Sequence, residues 1–167
     1  LDLVALGTVA DVVALDQNNR TLVSLGMARI RAGKCRKGIS ALIKIAKREA
    51  HTLQSMDLGF VVAPRLNAAG RLDDMSLGIE CLITDNESVA NELSKTLDDL
   101  NIERRQIENS MKEDAFGIIN SLNLKEDNIP LGLCLYGENW HQGVIGIIAG
   151  RLKDKFNFRL LVDDAHG

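Results

Sequence analysis

The 167-residue sequence holds only three cysteines, Cys35, Cys81 and Cys134, scattered without the short paired spacings of a zinc site. So few, and odd in number, they exclude a disulfide scaffold and fit a reduced, cytoplasmic protein. No apolar run approaches the ~20 residues that a bilayer span requires, so no membrane role is expected. No charged start followed by an apolar core marks a secretory signal. Charge of one sign is also scarce: 20 Lys and Arg against 23 Asp and Glu leave a net charge of −3. That excludes a chain that coats nucleic acid through bulk charge, while leaving room for a local basic cleft. Repeats and low-complexity tracts are missing too. With 46% hydrophobic and 26% charged residues, the chain has the composition of a globular protein rather than a disordered one. Its length suits one compact domain or pieces of two. The first residue is not Met, and the sequence opens inside an apolar run, so it reads as a piece of a longer protein.

What is present reads first as short elements. Leu3 to Leu6 and Thr8 to Val13 are rich in Val and Ala and predict strand or buried turn, with Asp11 near the end. "LDQNNRTLV" reads as a polar turn, and Leu22, Leu25, Met27 and Ile30 as a helix. A second helix is predicted from Gly38 to Ala50. A helix start after Ser55 gives way to a Pro- and Gly-bounded loop around "APRLNAAGRLDD", and "MSLGIECLIT" resumes a helical pattern.

The plainest feature follows. From Asn86 to Leu122 there is no proline and one glycine, Gly117. Leu93, Leu97, Leu100, Ile107, Met111 and Ile118 keep a 4-3 spacing, with Arg104 and Asp114 in the remaining seam positions. A helix of ~35 residues is about 50 Å long at 1.5 Å per residue, enough to join two bodies. A coiled-coil stem is the alternative, and the two charged seam residues weigh against it. "PLGLCLYG" then predicts a strand, "ENWHQG" a loop and "VIGIIAGRLKDKF" a helix, the opening of a second α/β domain.

Three stretches hold residues suited to chemistry. A lone buried carboxylate is costly unless paired or metal-bound, and an acid at the carboxyl end of a strand sits where α/β folds place ligands. Asp11 meets that description, or else caps the following turn. In "APRLNAAGRLDD", Arg65, Asn67 and Arg71 surround small residues, a combination suited to phosphate, since guanidinium offers planar paired donors. Pairing of these arginines with Asp73 and Asp74 is the alternative. In "GENWHQGVIGIIAGRL", Gly143 and Gly146 at a loop-to-helix junction leave N–H groups free for an anion. Trp140 suits stacking on a base and His141 a phosphate, or the Trp is wedged in an inter-domain core and His141 caps the helix. No Walker or dinucleotide fingerprint is present.

In that order, "LDLVALGTVADVV", "LGFVVAPRLNAAGRLDDMSLGIECLIT", "LNIERRQIENSM" and "WHQGVIGIIAGRLKDKF" closely resemble the DHH phosphoesterase family, in its branch of single-strand-specific DNA exonucleases. The resemblance covers about residues 1 to 159. It implies an α/β protein: the C-terminal part of a parallel-sheet DHH domain (1–85), a long connecting helix (86–122) and the start of a DHHA1 domain (130–167). It further implies hydrolysis of single-stranded DNA from the 5′ end with Mn²⁺ or Mg²⁺, in repair and recombination. A monomeric protein is implied, with helicase and single-strand binding protein as partners. By matched position, Asp11 is a metal ligand. Arg65, Asn67 and Arg71 flank the metal and hold phosphate, Arg104 and Arg105 face the DNA backbone, and Trp140, His141 and Gly143 lie on the DHHA1 side of the cleft. The departures are equally specific. The Asp-rich motifs and the Asp-His-His triplet are absent, as is the late Gly-rich, His-containing motif. Ala14 stands where Pro is usual, and "FRLLVDDAHG" departs from the apolar strand expected there. With one metal ligand of a set, the 167 residues alone are expected to be inactive. A phosphoesterase of short oligonucleotides or cyclic dinucleotides, and a helical interaction module, remain the other readings.

Overall fold

The computed structural model describes residues 1–122, 132–156 and 159–164. The chain forms two compact units, Leu1–Ile102 and Glu103–Gly167. The first is helical throughout its described residues: α1 (Asp2–Ala10), α2 (Gln17–Arg31), α3 (Lys37–Ile45), a 3₁₀ turn (Ala50–Thr52), α4 (Ser55–Asp57), a π turn (Leu58–Val62), α5 (Ala63–Leu72), α6 (Ser76–Ile83) and the beginning of α7 (Glu87–Ser121). The parallel sheet expected over 1–85 is not found in these residues.

Three expectations are corrected here. The Val-rich opening is helix, not strand, because α1 lies tight against α2. A Cβ on Gly26 would come within 2.4 Å of the Ala5 Cβ, so only glycine admits that approach. This packing overrides the β preference of Val and Thr. The polar turn at "LDQNNR" is a helix start, where the Asp16 carboxylate accepts from the Asn19 N–H at 2.8 Å as an N-cap. "APRLNAAGRL" is helix as well, not loop, with Pro64 in the first turn, where its missing N–H costs nothing. The helices expected over Leu22–Arg31, at "MSLGIECLIT" and through Asn86–Leu122 are present, while the one expected from Gly38 to Ala50 ends at Ile45, with Lys47 in the left-handed region at φ +56°.

The core of this unit gathers Ala5, Leu6, Met27, Ile30, Ile39, Leu42, Leu58 and Leu97. Asp2 is buried at its edge, its Oδ2 accepting from the Arg36 N–H at 2.7 Å and its Oδ1 from the Leu3 N–H at 3.1 Å. Burial opposes ionisation of Asp2, but those donors outweigh it and hold the carboxyl below the usual carboxylate value.

The second unit contains the rest of α7, then β1 (Gly132–Gly137), α8 (Gln142–Phe156) and β2 (Arg159–Asp164). The two strands pair in parallel, with Cys134 opposite Leu161, and α8 makes the crossover of a βαβ unit. The strand, loop and helix expected here are therefore present. Within the divergent tail, Arg159–Asp164 pairs as a strand, since parallel pairing is made by the backbone. The boundary between the units falls inside α7, which is one uninterrupted helix of 35 residues.

The buried face of α7 differs from the expected seam. Ala90, Ser94, Leu97, Asn101, Glu108, Met111, Ala115 and Ile119 are buried, so the stripe passes through three polar residues seven apart. It shares Leu97 and Met111 with the apolar 4-3 pattern and leaves Leu93, Leu100, Ile107 and Ile118 only partly covered.

Candidate metal and nucleic-acid site

Asp11 is the C-cap of α1, its N–H donating to the Gly7 carbonyl at 3.0 Å. Its side chain is exposed, which corrects the expectation of a buried acid. The strand reading supplied that burial. On a helix end, the same residue projects clear of the core.

The residue after it is unusual. Val12 has φ +53° and is 88% exposed. A β-branched residue in the left-handed region costs about 1–3 kcal/mol, and exposure returns nothing for it. The turn is held by the Val12 N–H on the Val9 carbonyl at 3.3 Å and the Val13 N–H on the Thr8 carbonyl at 3.1 Å.

Val9 also rests on Gly59, where an added Cβ would approach its Cγ1 to 3.4 Å. The end of α1 is thereby set beside the π turn Leu58–Val62. Between them opens an apolar hollow of about 360 Å³ lined by Val9, Val12, Val13, Leu15, Met56 and Phe60, among others. Phe60 is 75% exposed.

From the π turn the helix continues into α5. Leu58, Val62, Leu66 and Ala69 are buried, whereas Phe60, Asn67 and Arg71 are exposed and share the outer side. Arg65 faces the other way. Its Nη1 donates to the Val61 carbonyl at 2.6 Å and its Nε lies 2.8 Å from Asp98 Oδ1, tying α5 to α7. The Asp74 carboxylate accepts from the Ser76 N–H at 2.9 Å at the start of α6, and the Asp73 carboxylate from the Asp74 N–H at 2.8 Å. Among the described residues no three His, Cys, Asp or Glu side chains gather as a cation site. Asp11 does not make up a divalent-metal site with them, since six to eight oxygens or a compact N/O set would be needed.

In the second unit the candidates are mostly engaged in structure. Arg104 Nη1 donates to Glu108 Oε2 at 2.7 Å, and Arg151 pairs with Oε1 of the same carboxylate. Glu108 is 4% exposed. This places Arg104 in an internal ion cluster rather than on an outer face, while Arg105 is exposed. Trp140 is 5% exposed, its ring so close over Gly137 that a Cβ there would overlap it at 2.3 Å. The His141 Nδ1 accepts from the Gly143 N–H at 3.1 Å, capping α8. The cap expected as the alternative for His141 is seen, and Trp140 is buried against Gly137. The sequence pattern does not single out Phe60 or Glu108. The scarcity of aromatics (4%) is the one signal that would have marked Phe60.

The fold and the sequence together match single-stranded-DNA-specific exonucleases, although no protein-family model matches the chain. Over nearly all of its own length the chain is similar in sequence to RecJ proteins. It is 55% identical to RecJ of Dickeya dadantii and to RecJ of Escherichia coli, in each case over 157 residues, 94% of this chain and 27% of the relative. The crystal structure of Thermus thermophilus RecJ with Mg²⁺ superposes with a TM-score of 0.84 at 30% identity, covering 98% of this chain and 25% of that one. The same protein has been solved with Mn²⁺. The chain thus spans about a quarter of the length of the relatives it matches.

Proposed function

We propose that the chain is a segment of a metal-dependent exonuclease that hydrolyses single-stranded DNA from the 5′ end. The observation that carries this reading is 55% identity to RecJ over 94% of the chain. In it, Asp11 gives one carboxylate to a Mn²⁺ or Mg²⁺ site whose other ligands lie outside the 167 residues, in keeping with the exposure of its side chain. A divalent ion at such a site neutralises charge on the phosphoryl group. This chain's own contribution is to hold the strand. Asn67 and Arg71 present an amide and a guanidinium on one helix face, and Arg105 offers a further exposed cation. Arg65, Arg104 and the Trp140–Gly143 turn hold these surfaces in place. The boundaries of the DHH and DHHA1 domains, helicase and single-strand binding protein as partners, a monomeric state and a cytoplasmic location belong to the same reading. No described helix is long and apolar enough to cross a membrane.

The test is Asp11→Asn in the longer protein. Digestion of single-stranded DNA is expected to fall about a thousandfold, the upper end of what one charge-stabilising group supplies. Mn²⁺ binding by calorimetry should weaken while the circular dichroism spectrum stays unchanged. Undiminished Mn²⁺ binding and turnover would remove Asp11 from the site.

A further inference from the structure

We propose that Phe60 and the apolar hollow beneath it are a stacking platform for one nucleobase of the bound strand, an inference that rests on the proposed function. Four observations converge on the same few residues. Phe60 is an aromatic ring left 75% exposed in a chain with only six aromatic residues. It stands on a π turn, a local irregularity of the helix that is enriched at functional sites. The hollow beside it, about 360 Å³, is within the size of pockets that enclose small ligands. Val12, whose left-handed backbone is strained without being buried, also lines it.

The occupant follows from what surrounds the hollow. Ala10 and Val12, the neighbours of Asp11, both line it. Asn67 and Arg71 continue the exposed side of the same helix away from Phe60. A ligand lying along this face meets an apolar and aromatic surface at one end and an amide and a cation at the other. A nucleotide strand has that alternation, with flat bases joined to anionic phosphates. The lining is almost wholly apolar, with only the Thr8 and Ser55 hydroxyls among its polar side chains. It therefore offers little to distinguish one base edge from another, and the platform accepts any base.

The experiment measures binding of the longer protein to a fluorescently labelled oligo-dT strand by anisotropy, without divalent metal so that no cleavage occurs. Phe60→Ala is expected to weaken binding roughly 5- to 150-fold, the range for one lost base stack. Phe60→Trp should restore it. A single abasic residue moved along the strand should reproduce the loss at one position in the parent protein and cost nothing further in Phe60→Ala. Unchanged affinity in Phe60→Ala overturns the platform. So does an equal loss for intact and abasic strands together with a lowered melting temperature, which would mark the hollow as a packing surface for another part of the longer protein. If the parent protein cleaves single strands normally while Phe60→Ala behaves like it, the platform alone fails. If the parent neither binds nor cleaves single strands, the proposed function fails and the platform with it.

Discussion

The outer side of the π turn and α5 and the α7–α8 pair of the second unit contain similar residue types and use them differently. On α5, Asn67 and Arg71 are exposed, and Phe60 stands out from the turn before it. On α7 and α8, Arg104 and Arg151 share Glu108, Trp140 covers Gly137, and His141 caps a helix. An arginine or an aromatic is thus informative about binding only once its burial and partners are known. Arg65, on the same helix as Arg71, is fastened to Asp98.

The contrast can be broken in three ways. The largest effect is expected from Glu108→Ala, which removes the buried carboxylate shared by Arg151 and the half-buried Arg104 and should cost about 3–5 kcal/mol of stability in urea unfolding. A loss under 1 kcal/mol would mean that the cluster contributes little to stability.

Asp2→Asn is expected to cost about 1.5–3 kcal/mol at pH 7, the worth of hydrogen bonds to a charged group. The Asp2 carboxyl is held below its usual 3.8, so its contribution is complete above that pH and is lost as pH falls through the lower, folded value. The gap between Asp2→Asn and the parent should close below about pH 3.8 in parallel urea titrations. A gap that stays constant in acid would show that the anion is not what holds α1 to the start of α3.

Arg71→Ala should have the smallest effect on stability, within about 0.5 kcal/mol for an exposed position. Its effect should appear instead in binding, with weaker affinity for single strands and a salt slope reduced by about 0.7, as one phosphate contact on a single strand requires. Unchanged affinity and slope would separate Arg71 from the strand and leave Asn67 as the polar part of that face.

Much of this fold was legible in the residues, and the failures have physical causes. The long helix was plain because nothing between Asn86 and Leu122 breaks it, whatever it packs against. The β1–α8 order was plain because a short apolar run, a turn with Trp140 and a spaced apolar helix are local signals. The opening strand was misread because Val and Thr favour strands in isolation, while the decisive contact, Ala5 on Gly26, is made by residues 21 apart. The loop at "APRLNAAGRL" was misread because Pro64 and Gly70 punctuate most chains. Here Pro64 occupies a first helical turn, and Gly70 lies under Met75, whose sulfur would be 3.3 Å from a Cβ. The seam of α7 was displaced because its true buried line includes Ser94, Asn101 and Glu108, which no hydrophobic pattern selects. Of the candidate site, the importance of Asp11 came from resemblance, and its exposure could come only from the fold.

One consequence of α7 concerns dissection of the molecule. The two units meet in sequence at Ile102 and Glu103, in the middle of a continuous hydrogen-bond ladder and not at a hinge or linker. Cutting there leaves four carbonyls without donors on one side and four N–H groups without acceptors on the other. Neither half has a natural stopping point, and a shortened version of either would need to keep extra turns of this helix beyond the residues it packs.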